Sequence, residues 1–229
     1  MKNEILRYWK CRITIMALVI LCVAFSDAIA GGKVGIYGIR MTPSGKDAEN
    51  YSRPGWGGGF HVVVPVPQLR NGVAGVAGID IANLLSETTE YIDGITGFRV
   101  EQQTSQDYVR TYIGSQVGGH GNGFIRPHAG INLALVYYGI KTDVVVPDDS
   151  DRENEIRQNL SKENHWVFGY DITLGVDLNF SNKIALDGGV RYLKTFSLPQ
   201  QLGENSVKIH PQYFQVYIGI GVSFRMMKQ

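Results

Sequence analysis

Three aspartates and one arginine in the last third of the chain are the residues best placed to do chemistry. Asp171 and Asp177 fall within WVFGYDITLGVDLNF, residues 166–180, and Asp187 and Arg191 follow four residues apart. Within that stretch every second residue is large and apolar, and those between are Val, Gly, Asp, Thr, Gly, Asp and Asn. This alternation is that of a β-strand, whose side chains point to opposite faces. The two aspartates therefore share a face with small residues, and no Lys, Glu or Gln joins them. Similar reasoning along the other alternating runs gives the polar face His61, Asp80, Arg110, His128, Asn132, Asp171, Asp177, Asp187 and Arg191. If that face is enclosed, its charges must be paired or hydrogen-bonded. Asp187 and Arg191, on one strand face, are expected to share a network with Asp171 or Asp177. Such a network is either a structural plug or a narrow polar path. Four aspartates against two arginines would make a path prefer cations.

Other chemistries leave fainter marks. Catalysis needs a nucleophile, a base and an orienting group held together. The histidines are His61, His120, His128, His165 and His210; only His165 and His210 stand near hydroxyl or acidic residues at a rim, beside Ser161, Glu163 and Ser206. No motif links them, and no enzyme activity is expected. PDDSDRENE, residues 147–155, is rich in carboxylates but lacks the order of a calcium loop with its closing glutamate. Residues 141–163 hold seven acidic and four basic side chains and read as a solvated loop. GWGGG, residues 55–59, has no helix after it to complete a phosphate cradle. No metal or cofactor is expected.

The elements that must position these residues are strands. Alternating or apolar runs recur at 33–41, 56–66, 73–84, 108–117, 124–140, 166–180, 184–196 and 212–224. No stretch keeps a helical period, although the third connection has room for a short helical turn. Pro65 suggests a bulge. The connections alternate long and short, so an up-and-down arrangement puts every short turn at one end and every long loop at the other. Aromatic residues gather at both ends of the runs: Trp56, Tyr108, Tyr137, Trp166, Tyr192 and Phe214 toward the long loops, Phe124 and Phe180 toward the turns. Two girdles of this kind mark membrane–water interfaces. An eight-stranded barrel has an interior just wide enough for its own side chains, so the small polar face belongs inside and the large apolar face in lipid. The expected fold is all-β, an eight-stranded antiparallel up-and-down transmembrane β-barrel whose backbone groups are all satisfied by closure.

Residues 1–30 are set apart from this fold. Lys2, Arg7, Lys10 and Arg12 precede an apolar run, residues 13–25, which is too short for a membrane-spanning helix of about 20 residues. Ala28 and Ala30 then supply a signal-peptidase pattern. The segment is read as a cleaved signal peptide, leaving 31–229 as the barrel domain. Both cysteines, Cys11 and Cys22, lie within the signal, so disulfides and thiol chemistry are excluded from the remainder. The formal net charge of +1 offers no case for nucleic acid. Glycine supplies 28 of 229 residues, about 12%, against about 7% in average usage, consistent with tight turns and close packing in a β protein.

Two segments carry a resemblance to a known family. QYFQVYIGIGVSF, residues 212–224, resembles the C-terminal signature of bacterial outer-membrane barrels, alternating outward and finishing on Phe224. GVDLNFSNKIALDGGVRYLKTF, residues 175–196, resembles the penultimate hairpin of the small ones. Together they are similar to the outer membrane protein β-barrel domain family, which includes the transmembrane half of outer membrane protein A, outer membrane protein X and the opacity adhesins. The resemblance implies residence in the cell outer membrane, contact with lipopolysaccharide, recognition of Phe224 by the barrel-assembly machinery, and outer loops available to an extracellular ligand. Family members stop at the terminal Phe, whereas residues 225–229 follow it here; they are too few to form a periplasmic domain. The expected role is structural or surface-interacting, adhesin-like, with a largely plugged lumen. The alternatives are a small cation-preferring channel and a rim-located hydrolase.

Overall fold

The computed structural model describes residues 32–66, 72–92, 99–119, 123–146, 156–181, 183–202 and 205–224. The expected signal peptide, His120, the acidic segment 147–155 and residues 225–229 lie outside them. Ten strands and one short helix make up the described chain. They are β1 (Gly32–Ser44), α1 (Lys46–Tyr51), β2 (Gly55–Pro65), β3 (Val73–Ile92), β4 (Arg99–Gly118), β5 (Ile125–Val146), β6 (Ile156–Asn179), β7 (Ile184–Thr195), β8 (Leu198–Leu202), β9 (Asn205–Ile209) and β10 (Gln212–Phe224).

Eight of the strands close into an antiparallel barrel, β1 to β7 each paired in sequence order and β10 joining β7 to β1. The closing ladder runs from Gly32↔Phe224 to Ser44↔Gln212. A separate hairpin, β8–β9, occupies the last long connection. Closure leaves the cylinder without a bare edge, which is what lets a sheet sit in lipid.

The outer surface bears that out. On β6, Trp166, Phe168, Ile172 and Leu174 are each at least half exposed, while Thr173 between them and Asp177 beyond them are buried and Asp171 is wholly enclosed. Ile131 and Leu133 on β5 and Val216, Ile218, Ile220 and Val222 on β10 repeat the exposed apolar face. A cylinder with this exterior has its low-energy surroundings in hydrocarbon, not in water.

Four strands are longer than the alternation of apolar residues predicts. β3, β4, β5 and β6 have 20, 20, 22 and 24 residues, against 11 to 13 for β1, β2, β7 and β10. A tilted membrane strand needs about 9–11. The extra residues continue the pairing outward as a four-stranded wall, through Glu87↔Thr104, Gln103↔Asp143 and Thr142↔Ser161. In this wall Thr, Gln, Ser and Asn replace the apolar residues, so hydrophobic alternation ends although the strands do not. Val100 and Val145 remain buried within it.

Two smaller expectations are corrected. The helical turn lies in the first connection, as α1, and the described part of the third connection is strand. Pro65 makes no bulge: the β2–β3 ladder holds its register from Trp56↔Asn83 to Pro65↔Ala74. As the last residue of β2, the proline sits where a missing N–H is tolerated. The register shifts fall instead at Asn83/Leu85 and Thr142/Asp143, beside the wall.

Candidate functional site

The barrel interior is filled in three levels. At the outer end, toward the long connections, Ile39, Met41, Leu84, Val136 and Leu193 are almost wholly buried with Tyr108, Tyr138 and Tyr213. The three rings lie 5.7–6.2 Å apart, centroid to centroid. Helix α1 lies in the connection that follows β1, with Ala48 buried. The Ser52 hydroxyl behind it donates to Gln106 Oε1 at 3.0 Å and lies 3.0 Å from the Tyr213 hydroxyl.

Tyr108 was expected in the lipid girdle and is instead wholly buried inside. The reason is parity: Tyr108, Arg110 and Tyr112 are two apart on β4, and a strand cannot send Arg110 inward without Tyr108. The other expected girdle residues, Trp56, Phe124, Tyr137, Trp166, Phe180, Tyr192 and Phe214, lie on the exterior. Tyr137 packs on Trp166 at 5.1 Å toward the outer end, and Phe124 on Phe180 at 5.9 Å at the other.

The middle level is a ring of charges. Asp80 and Arg110 are directly opposite across β3–β4. Arg110 reaches Asp80 Oδ2 at 2.6 Å and Asp171 Oδ2 at 2.9 Å, while Arg191 lies 3.1 Å from Asp80 Oδ2 and 3.6 Å from Asp171 Oδ1. Two cations and two anions thus alternate around a closed circuit. Neighbours complete it. Tyr37 donates to Asp80 Oδ1 at 2.5 Å, and Asn132 and Thr173 donate to Asp171 Oδ1 at 2.7 and 3.0 Å. Gln215 Oε1 accepts from Arg191 at 3.2 Å. The Tyr112 ring lies beneath both guanidinium groups, 4.2 Å from Arg110 and 5.0 Å from Arg191, a geometry that favours a cation over the ring face.

The inner level centres on Asp177 and Asp187, which face each other across β6–β7. Like charges directly opposite are unfavourable, and the remedy comes from β1. Lys33 Nζ donates to Asp177 Oδ1 at 2.6 Å and to Asp187 Oδ2 at 2.9 Å. His61 and His128 complete the level. His128 Nε2 lies 3.1 Å from the Tyr217 hydroxyl.

Asp187 and Arg191 each join one of the β6 aspartates, Asp187 to Asp177 through Lys33 and Arg191 to Asp171 directly, but in two separate networks. Four residues along a strand span about 13 Å, so each belongs to a different level: Arg191 with Asp80 and Asp171, Asp187 with Lys33. Sequence reasoning also missed Lys33, Tyr37, Tyr112, Thr173, Gln215 and Tyr217. Strand parity, counted from Arg110 on β4 and Arg191 on β7, would have found Tyr112 and, through the register, Thr173. At the rim, His165 Nε2 is 3.5 Å from Glu163 and has no hydrogen-bond partner among the described residues. Phe224 ends β10 opposite Gly32.

A closed eight-stranded cylinder, apolar outside and packed with paired charges inside, defines a small integral membrane β-barrel. Comparison with solved structures agrees in fold. Neisserial surface protein A is similar with a TM-score of 0.53 and 12% identity, over 84% of this chain and 97% of that one. The attachment invasion locus protein Ail of Yersinia pestis aligns at 0.44 and 8% identity, over 85% and 97%. The outer membrane protein OprG of Pseudomonas aeruginosa aligns at 0.47 and 12%, over 87% and 98%. The chain has the fold of the small bacterial outer-membrane barrels. No sequence-family model and no curated protein sequence matches it.

Proposed function

We propose that this barrel conducts nothing and works from its outer face, as a surface-interaction protein held in the outer membrane by its lipid-facing cylinder. The observation that carries the reading is the enclosure of the middle level. Asp80, Arg110 and Asp171 have no exposed surface and Arg191 almost none. An ion crossing there would have to break a neutral circuit in which each charge already has two partners, beneath an apolar layer. Planar-bilayer recording of refolded protein with a heat-dependent gel shift should show no discrete steps. Cation-preferring steps abolished by Asp80→Asn would overturn the reading in favour of a channel.

The outward work falls to the wall of β3–β6. It stands about ten residues beyond what the membrane needs, and its exposed side chains are mixed. Tyr91, Ile92 and Leu160 are exposed among polar residues, and Arg99 pairs with Glu90 at 2.6 Å. Among the described residues, β3 beyond Asn83 has no ladder partner on the β2 side, nor β6 before Gly169 on the β7 side. Unpaired strand edges of this kind accept extended segments of other chains. At the lipid boundary, Arg40 lies 4.8 Å over the exposed Trp56 ring, a cation placed to meet lipopolysaccharide phosphate, and Phe224 is the residue offered to the assembly machinery.

Replacing residues 88–103 and 143–160 with short turns should leave the gel shift intact and the unfolding midpoint within about 1 kcal/mol, because the cylinder keeps every ladder. The same variant displayed on cells should lose binding to a panel of immobilised glycans and matrix proteins. Retained binding would place the contact elsewhere.

A further inference from the structure

The inner level holds a donor set that its hydrogen bonds do not use up. Asp187 Oδ1 and His61 Nε2 are buried and have no hydrogen-bond partner among the described residues, and each belongs to a side chain at most 7% exposed. His61 Nε2 lies 3.3 Å from Asp187 Oδ2, and His128 Nε2 lies 3.9 Å from Asp187 Oδ1. Donor atoms of His128, Asp177 and Asp187 all fall within 4.8 Å of one another. Bonds of ~2.0–2.2 Å to a tetrahedral ion put its ligands ~3.3–3.6 Å apart, so His128, Asp177 and Asp187 need only small movements to share one ion, and His61 Nε2 stands beside Asp187 as the fourth donor. The space exists: a cavity of about 20 Å³ lies among His61, His128, Asp187 and Tyr217. Glycines keep it open. A Cβ at Gly35 would stand 2.5 Å from His61 Nε2, and one at Gly175 equally close to His128 Nε2.

We propose that His61, His128, Asp177 and Asp187 form a binding site for a divalent transition ion of the zinc class, and that Lys33 is the built-in cation it displaces. Two imidazoles and two carboxylates suit zinc, cobalt or nickel and not calcium or magnesium, which prefer oxygen donors alone. The charges balance: two carboxylates and one ammonium leave a deficit of one, whereas a divalent ion neutralises both acids once the ammonium has left. Lys33 has somewhere to go. Its side chain borders an open space of about 200 Å³ at the inner mouth, lined also by Pro65, Gln116, Arg126 and Asn179. In binding, His128 Nε2 gives up its contact with the Tyr217 hydroxyl for the ion. The four ligands come from β2, β5, β6 and β7, so no sequence spacing reveals them.

The test uses refolded residues 31–229, which hold no cysteine, without a histidine tag, stripped with chelator in micelles and titrated with Co²⁺. One equivalent should bring up the visible absorption of four-coordinate Co²⁺, to be bleached by Zn²⁺ and left unchanged by Ca²⁺. His128→Ala and Asp187→Asn should each weaken binding about 10–100-fold. Lys33→Ala should tighten it about tenfold, because the competing cation is gone. Should any variant fail to give the heat-dependent gel shift, His61→Phe provides a second ligand knockout of similar volume. Absence of the absorption in both the parent and Lys33→Ala, with the barrel folded, overturns the proposal. So does binding that His128→Ala and His61→Phe leave unchanged. In either case Lys33 is a permanent structural bridge.

Discussion

Arg110→Met is expected to destabilise the folded barrel by about 3–5 kcal/mol, the usual cost of removing one member of a buried charge pair. Arg110 is wholly enclosed and lies within 3 Å of both Asp80 and Asp171. Its loss leaves two carboxylates to share Arg191, an uncompensated charge with no route to water through the apolar layer above. Urea titration in micelles, followed by the fluorescence of the exterior residues Trp56 and Trp166, measures the effect. Arg110→Lys should recover only part of it, because an ammonium cannot span both carboxylates as a planar guanidinium does. A change below about 1 kcal/mol for Arg110→Met would mean that water reaches the middle level.

The second large effect is expected from Lys33→Met in chelator. Asp177 and Asp187 face each other across β6–β7, and Lys33 is the cation that joins both. Its removal should again cost about 3–5 kcal/mol. The diagnostic result is the double variant. Asp187→Asn should be markedly less harmful on the Lys33→Met background than alone, since it then removes a repulsion where before it removed a bridge. Additive losses would show that Lys33 does not couple to Asp187.

The cylinder was legible in the sequence wherever lipid imposed it. On β6 the alternation of Trp166, Phe168, Ile172 and Leu174 with Asp171, Thr173 and Asp177 reports which face meets hydrocarbon. Where lipid stops, so does that signal. The outer halves of β3–β6 are strands of Thr, Gln and Ser whose pairing is set by the strands below them, and nothing in their composition separates them from a loop. Tyr108 shows a different failure. An aromatic residue near a strand start suits an interfacial girdle, but on β4 it is locked to the face of Arg110. Lys33 was hidden by its own strand. KVGIYGIRM offers apolar residues on both faces, and the register with β10, Tyr37↔Gly219 and Gly35↔Gly221, decides that Lys33 points in. Partners of the inward charges depend on height along the barrel, which follows from the register between strands and not from spacing within one.

The closing ladder of β1 with β10 has a consequence for biogenesis. It joins the first described strand to the last, Gly32 to Phe224, so no cylinder exists until β10 has been delivered. Contacts of such sequence separation form late and slowly. Until then seven strands would be an open sheet with two naked edges and an unneutralised Asp177–Asp187 pair. Lys33 is therefore a latch thrown across the seam's own neighbourhood, fastening β1 to β6 and β7 as the circle is completed, and an unlatched barrel would announce itself as a slow, aggregation-prone intermediate rather than as a weakened final product.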